Sequence, residues 1–282
     1  MDQSTNNQNR TQAGNPSDSP FNQQRPIPNV KHIIAVSSGK GGVGKSTVAA
    51  NLALAFSKLG FKVGLLDADI YGPSVPRLFG LINQRPEIKN GNRILPIQRY
   101  GISLMSIGFL ISDDSAVVWR GPMLFKAMEQ FLRDVEWGEL DYLIVDLPPG
   151  TGDIQLSLAQ KVPVSGAVLV STPQNLSLID VKRAYDMWTR IGVPIAGFVE
   201  NMSFLELPGE PAPEKNIQLF PKGDLTAFFQ KHSVELLGEL PFNPQIGLAC
   251  ESGIPIVFGS ATGKVTERFI AIAEKVNKKI TG

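Results

Sequence analysis

Cysteine is almost absent from the sequence. Among the 282 residues only Cys250 is a cysteine, which excludes an intrachain disulfide framework. The sequence has no run of about 18 apolar residues, the length that a membrane-spanning helix needs. It does not open with the charged and apolar segments of a secretory signal. We therefore expect a cytoplasmic protein with no stable membrane insertion.

An excess of charge of either sign is also missing. Lysine and arginine total 27, aspartate and glutamate total 26, and the formal net charge is +1. A balanced chain has no bulk electrostatic attraction for nucleic acid or for an anionic membrane. We therefore expect no nucleic-acid partner. The length of the chain allows one large α/β domain that buries a sizeable core.

Aliphatic side chains are scarce in the first 29 residues, which are rich in Asn, Gln, Ser and Pro. Such a segment cannot bury enough apolar surface to offset the entropy lost on ordering. We therefore expect a disordered tail over residues 1–29 and a single domain over residues 30–282. An interaction arm is the functional alternative for the tail.

From residue 32 onward, short apolar runs alternate with amphipathic stretches. The runs are typical of buried parallel strands, and the stretches between them are typical of helices. This alternation predicts an α/β, doubly wound, mostly parallel sheet, with ligands bound beyond the carboxyl ends of its strands. The predicted strands are 32–38, 62–69, 141–146, 166–172, 195–201 and 235–241, and the predicted helices are 46–60, 121–136, 153–161, 176–191, 223–232, 243–251 and 264–280.

The clearest motif lies between the first predicted strand and the first predicted helix. Residues 37–47 read SSGKGGVGKST and contain GxxxxGK[ST], a P-loop in which backbone N–H groups and a helix N-terminus face phosphate oxygens. We predict that Lys45 pairs with the β- and γ-phosphates of ATP and that the Ser46 hydroxyl holds Mg²⁺. The predicted nucleotide-binding residues of the loop are Gly39, Lys40, Gly41, Gly42, Val43, Gly44, Lys45, Ser46 and Thr47.

Acidic residues end two of the predicted strands. Asp146 follows YLIV, the position of the carboxylate that completes the Mg²⁺ shell in P-loop proteins. Asp67 and Asp69 end KVGLLDAD. We predict that Asp69 positions the attacking water, and that Asp67 supports it or contacts Mg²⁺. The alternative that these two aspartates only cap the next turn stays open, because Asp is common in turns.

Lys40 adds a second lysine to the P-loop, giving KGGVGKST. This resembles the deviant Walker A motif of the MinD/ParA class of ATPases. In that class the extra lysine reaches across an ATP-sandwiched homodimer to the partner's phosphates. The resemblance implies a homodimer whose slow ATP hydrolysis depends on dimerisation, with Lys40, Lys45 and Asp69 as catalytic residues. A second cation at the γ-phosphate would neutralise charge that develops during phosphoryl transfer.

Several longer segments resemble the Mrp/ApbC family of iron–sulfur cluster carriers within that class. The resemblance covers about residues 30–280. It implies ATP and Mg²⁺ as cofactors, a subunit-bridging iron–sulfur cluster, and apo iron–sulfur proteins or scaffold proteins as partners. The segments are WGELDYLIVDLPPGTGD (137–153), DADIYGPSVPRLFG (67–80), RGPM (120–123), STPQ (171–174) and VENMS (199–203).

The same resemblance implies roles for further residues. Residues 146–151, including Gly150, resemble a switch that senses the γ-phosphate, and residues 69–74 resemble its partner switch. Asn201 resembles the residue that reads the adenine edge. Pro241 and Phe242 would flank the base, although ordinary core packing is an equal alternative for Phe242.

The CxxC pair that usually follows NMS in this family is missing. Leu207 and Glu210 stand where the cysteines would fall. Neither side chain supplies a thiolate, and an iron–sulfur cluster is commonly held by about four thiolates. Cys250, His32 and His232 share no metal-ligand spacing. The cluster ligands are therefore unknown, and a cluster-free nucleotide-switched regulator or scaffold of the MinD/ParA class stays open as the alternative function.

The last predicted helix allows a third, weaker interpretation. Its apolar residues form one stripe, and lysines gather near its end, as in a helix that lies on a membrane. A terminal helix packed on the core explains the stripe equally simply. The stripe is Val265, Phe269, Ile272 and Val276, and the lysines are Lys275, Lys278 and Lys279.

Overall fold

The structure is a computed structural model that describes most of the chain. The described residues are 24–89, 91–110, 121–150, 152–206, 217–221, 226–260 and 263–282. Some predicted features lie outside these ranges. They are residues 1–23 of the tail, Arg120 of RGPM, Thr151 of the switch, and the two positions aligned with the CxxC pair.

An eight-stranded sheet forms the centre of the described structure. Its strand order is β10-β9-β8-β1-β7-β2-β6-β5, and every neighbouring pair is parallel except β5 and β6. The predicted mostly parallel α/β architecture is confirmed. The strands are β1 (Val30–Ser37), β2 (Val63–Asp67), β3 (Ile88–Lys89), β4 (Arg93–Ile94), β5 (Ile97–Arg99), β6 (Ile102–Ser106), β7 (Leu140–Asp146), β8 (Gly166–Ser171), β9 (Ile195–Glu200) and β10 (Leu236–Glu239), of which β3 and β4 pair separately.

Helices between the strands cover the sheet. The positions of the longer helices agree with the predicted helices to within a few residues. Two short helices were not predicted, since a single turn shows no periodicity. The helices are α1 (Lys45–Lys58), α2 (Val75–Leu78), α3 (Gly121–Arg133), α4 (Asp153–Lys161), α5 (Asn175–Arg190), α6 (Thr226–His232), α7 (Pro244–Ser252), α8 (Ile256–Gly259) and α9 (Lys264–Thr281), with a 3₁₀ turn at Ile107–Phe109.

The largest difference from the prediction lies between residues 88 and 106. Four strands, β3 to β6, occur here and none was predicted. Two of them have only two residues, too few to show a period of two. The turn between β5 and β6 uses Tyr100 and Gly101 at φ 51° and 80°, so no helix separates them. The five residues of β6 are all buried, and β6 extends the parallel part of the sheet beyond β2.

Residues 24–29 pack against the domain although they fall within the predicted tail. Ile27 is only 3% exposed. The Arg133 guanidinium donates hydrogen bonds to the backbone carbonyls of Arg25 and Pro26. One buried isoleucine and one guanidinium therefore hold a segment whose composition is polar. In the described structure, residues 24–29 therefore belong to the packed part of the chain.

The apolar stripe of α9 faces the core. Its four members, Val265, Phe269, Ile272 and Val276, are each at most 5% exposed. This burial favours the core-packed interpretation of the terminal helix over the membrane-surface interpretation. Across the described ranges, no helix combines the length and apolar character that crossing a membrane requires.

Candidate functional site

The carboxyl ends of three central strands bring the predicted phosphate site together. Strand β1 ends at Ser37 and leads into the phosphate loop, residues 38–44. Strands β7 and β2 end beside it at Asp146 and Asp67, which are partners in the parallel register. Because parallel strands present their carboxyl ends at one edge of a sheet, the loop and both aspartates meet where ligands of such folds bind.

The phosphate loop has the backbone shape of an anion cradle. Gly42 and Gly44 both have φ 79°, a conformation that residues with a side chain rarely adopt. A Cβ at Gly39 would lie 2.3 Å from backbone atoms of Asp180 in α5, so only glycine fits there. In the described structure no side chain caps the N-terminus of α1, whose N-cap residue is Gly44. The first N–H groups of α1 are therefore free to bind an anion.

Lys45 is the centre of a buried group of charges. Its side chain is 6% exposed, and Nζ lies 2.5 Å from Asp146 Oδ1 and 3.7 Å from Asp69 Oδ2. Nζ also lies 3.2 Å from the hydroxyl oxygen of Ser46. Two carboxylates compensate the buried ammonium. Phosphate oxygens offer the same kind of partner, so Lys45 can exchange a carboxylate for a phosphate when a nucleotide binds.

Asp146 has one carboxylate oxygen without a partner. Oδ1 accepts a hydrogen bond from Lys45, whereas Oδ2 is buried and has no hydrogen-bond partner in the described structure. Burial raises the pKa of Asp146, and the charge of Lys45 opposes that shift. A hard cation would satisfy the free oxygen, and Mg²⁺ takes one or two carboxylates together with substrate phosphates. Asp146 and the Ser46 hydroxyl therefore fit a Mg²⁺ site.

Asp67 organises the segment that follows β2. Burial, together with the neighbouring carboxylate of Asp146, raises the pKa of Asp67 to about 7. Its oxygens are already occupied by donors from the protein, which favours the predicted supporting role over direct contact with Mg²⁺. The donors are the N–H groups of Asp69, Ser74 and Val75 and the hydroxyl of Ser106.

Gly150 and Lys40 are linked through one residue of the phosphate loop. The N–H of Gly150 donates to the carbonyl oxygen of Ser38 at 2.8 Å, and the Ser38 hydroxyl donates to the carbonyl oxygen of Lys40 at 2.9 Å. Gly150 has φ 92°. Lys40 forms no salt bridge with any carboxylate that the structure describes. The switch segment therefore contacts the loop beside the lysine for which a role across the dimer was predicted.

The residues predicted to contact the adenine base follow strands β9 and β10, on the opposite side of β1 from β7 and β2. The side-chain amide of Asn201 donates to the carbonyl oxygen of Val43 at 2.9 Å, which places Asn201 against the phosphate loop. Pro241 and Phe242 follow β10, one strand further from the loop. Phe242 is 44% exposed, so ordinary core packing does not explain it.

The residues considered as cluster ligands lie apart from one another. Cys250 of α7 has its Sγ 3.7 Å from the Thr47 hydroxyl oxygen, and burial raises the pKa of its thiol. His32 stacks on Tyr142 of the neighbouring strand, and His232 ends α6. In the portion of the chain that is described, no three His, Cys, Asp or Glu side chains form a group that could hold a metal ion. No cluster ligand is therefore identified there.

Three polar residues of the site were not predicted. Ser38 and Gln155 hold the switch segment, and Ser106 donates to Asp67. Ser106 ends β6, a strand that the sequence pattern did not indicate. Gln155 stands two residues after the DLPPGTGD segment, so proximity to that segment was the only signal that could have found it.

The comparisons with known proteins decide the family. The chain matches the family model described as ParA, NUBPL iron-transfer P-loop NTPase, over residues 29–277. The chain belongs to this family. The predicted resemblance to iron–sulfur cluster carriers of the MinD/ParA class is thereby confirmed, and the protein is a P-loop NTPase of an iron–sulfur cluster carrier and transfer family.

Relatives of this NUBPL-type NTPase carry consistent names. An iron-sulfur cluster carrier protein of Aquifex aeolicus is 47% identical over 262 residues, which are 93% of this chain and 71% of the relative. The mouse iron-sulfur cluster transfer protein NUBPL is 42% identical over 260 residues, covering 92% of this chain and 80% of the relative.

Solved structures show the same fold. A nucleotide-binding protein from Archaeoglobus fulgidus in complex with ADP is 38% identical, with a TM-score of 0.72 over 86% of this chain and 93% of that one. The cell division ATPase MinD of Pyrococcus furiosus is 25% identical, with a TM-score of 0.65 over 88% and 99% of the two chains. The fold of the chain is therefore shared with an ADP-bound protein and with a MinD ATPase.

Proposed function

We propose that this NTPase binds and hydrolyses ATP with Mg²⁺ as a homodimer and acts in the assembly and transfer of iron–sulfur clusters to apoproteins. The observation that carries the nucleotide half is the buried group of Lys45, Asp69 and Asp146 beside the uncapped N-terminus of α1. The part of the proposal that concerns iron–sulfur clusters is supported by the family and by the names of its members. In this proposal the cluster is a substrate.

The phosphates of ATP would bind in the loop of residues 38–44. The backbone N–H groups of the loop and the N-terminus of α1 supply donors and a positive partial charge. Lys45 would move from Asp146 Oδ1 to the β- and γ-phosphates, because both partners are anionic oxygens and the phosphates carry more charge. Asp146 and the Ser46 hydroxyl would hold Mg²⁺, which supplies charge neutralisation across the phosphates.

Asp69 is the residue proposed to position the attacking water. It lies beyond the end of β2 and accepts a hydrogen bond from the N–H of Gly72 at 3.3 Å, while its other oxygen faces Lys45 at 3.7 Å. A carboxylate there can accept a hydrogen bond from a water molecule in line with the γ-phosphate. Gly150 would contact the γ-phosphate, Asn201 the adenine edge, and Pro241 the base.

Lys40 makes the proposed reaction dependent on a second subunit. Its ammonium has no carboxylate partner in the described ranges, so it is free to reach a phosphate bound by the partner. Charge added at the γ-phosphate lowers the barrier to phosphoryl transfer. The proposed partners are a second copy of the chain and apo iron–sulfur or scaffold proteins, and a cytoplasmic location stays a prediction.

A cluster-free regulator or scaffold of the same class is the second candidate. It is favoured by the cysteine content, since two subunits together offer two copies of Cys250 while clusters are commonly held by about four thiolates. It keeps the same nucleotide chemistry. Only the presence of bound iron and sulfide separates the two functions.

The nucleotide half is tested by removing Mg²⁺. We expect phosphate release from ATP in the presence of Mg²⁺ and its loss when EDTA is added. The Asp146 carboxylate and the phosphates are both anionic, so they need the cation to neutralise their repulsion. Phosphate release is measured with excess ATP, and restoring Mg²⁺ serves as the control. Hydrolysis that continues at the same rate in EDTA would rule out the proposed Mg²⁺ site.

A further inference from the structure

One side chain holds the segment that follows β7. Gln155 lies in the first turn of α4 and is 1% exposed. Its side-chain Nε2 donates to the carbonyl oxygen of Pro148 at 2.8 Å and to that of Gly150 at 3.1 Å. The two carbonyls belong to peptide groups on either side of the Pro149–Gly150 peptide. Gln155 therefore holds the peptide groups before and after the Pro149–Gly150 peptide, which carries the N–H of Gly150.

That central N–H already has an acceptor. It donates to the carbonyl oxygen of Ser38 at 2.8 Å, a full-strength hydrogen bond. A backbone amide carries one proton, so Gly150 cannot donate equally well to Ser38 and to a phosphate oxygen. In the described arrangement, hydrogen bonds to Gln155 and Ser38 therefore engage three consecutive peptide groups, and the Gly150 N–H is not available to a phosphate oxygen.

The amide oxygen of Gln155 shows that this arrangement is held at a cost. Oε1 is buried and has no hydrogen-bond partner in the described structure. A buried acceptor without a donor is unfavourable. Turning the amide over would place Oε1 against two carbonyl oxygens, which is worse. The orientation of Gln155 is therefore dictated by the loop carbonyls, and any movement of the loop releases both of its hydrogen bonds.

We propose that Gln155 is a positioning residue that latches residues 148–150 in the described arrangement, in which the Gly150 N–H is bonded to Ser38, and that a nucleoside triphosphate opens this latch whereas a diphosphate does not. The inference rests on the proposed function, because it uses a contact between Gly150 and the γ-phosphate. The latch stabilises only the state without that contact. It therefore lowers the affinity for the triphosphate and leaves the affinity for ADP unchanged.

The test compares Gln155→Met with the parent protein. Methionine keeps the length and volume of glutamine but donates no hydrogen bond. We expect the affinity for a non-hydrolysable ATP analogue, relative to the affinity for ADP, to rise about tenfold, as measured by calorimetric titration with Mg²⁺. Gln160→Met on the same helix is the matched control and should leave the ratio unchanged. An unchanged or lowered ratio in Gln155→Met would overturn the latch.

Hydrogen exchange provides a measurement without nucleotide. We expect the Gly150 amide to exchange about tenfold faster or more in Gln155→Met than in the parent, because the flanking carbonyls are released. Equal exchange rates would overturn the latch. Gln155→Leu, which also lacks the donor, replaces Gln155→Met if the latter does not fold. If the parent binds no ATP analogue, the proposed function fails, while the exchange of Gly150 still decides on the latch.

Discussion

Lys45→Met is expected to abolish ATP hydrolysis and to weaken ATP binding by about 100-fold or more. Lys45 is the buried cation nearest to the phosphate loop, with Nζ 2.5 Å from Asp146 and 3.7 Å from Asp69. Without it, the phosphates would enter a site in which the carboxylates of Asp146 and Asp69 have lost their buried cation. Calorimetric titration gives the affinity, and release of inorganic phosphate gives the rate.

One control variant and one stability measurement separate the loss of the phosphate contact from a loss of the fold. Lys58→Met changes an exposed lysine at the other end of α1 and should bind ATP as the parent does. In the parent protein, burial raises the pKa of Asp146 and the charge of Lys45 opposes that rise. Loss of the cation in Lys45→Met therefore favours the protonated acid in the folded state. The free energy of unfolding of Lys45→Met should then fall as the pH rises through the folded-state pKa of Asp146. Undiminished ATP binding by Lys45→Met would refute the assigned site.

Lys40→Ala is expected to slow ATP hydrolysis by about 1,000-fold with little change in the ATP affinity of one subunit. Lys40 has no salt bridge in the described structure, so its removal leaves no buried charge uncompensated. Its proposed contact is made only in the dimer, at the γ-phosphate of the partner. The prediction therefore separates binding, which the subunit's own loop performs, from catalysis, which needs the second copy.

The measurement is phosphate release at protein concentrations where light scattering shows the dimer. Lys62→Ala is the control, since Lys62 is exposed and pairs with Glu139 at 2.7 Å. Lys40→Arg keeps a cation and should retain part of the rate. Hydrolysis by Lys40→Ala at the parental rate under dimer-forming conditions would show that the role across the dimer is wrong.

The phosphate site could be predicted because its residues are close together in the chain or follow buried strands. Gly39 to Ser46 form one continuous loop, and Asp146 ends a run of apolar residues that only a central strand explains. Elements with strong periodicity, such as α5 and α9, were likewise placed to within a residue or two.

Features that depend on contacts between distant segments could not be predicted. Strands β5 and β6 are joined by a turn without a helix, so the alternating pattern gave no signal for them or for Ser106. The burial of Ile27 depends on tertiary packing, with Arg133 holding its neighbours some 107 residues along the chain. The hydrogen bonds of Gln155 depend on where the backbone of residues 148–150 turns. None of these contacts leaves a local pattern.

The most direct test of the account is the iron and sulfide content of the purified protein after anaerobic reconstitution, followed by transfer to an apo iron–sulfur protein. We expect the dimer to hold a cluster and to pass it to the apoprotein. A relative that carries the CxxC pair, treated under the same conditions, is the control. If that relative loads a cluster while this chain holds neither iron nor sulfide, cluster carriage is contradicted and the cluster-free regulator is the function.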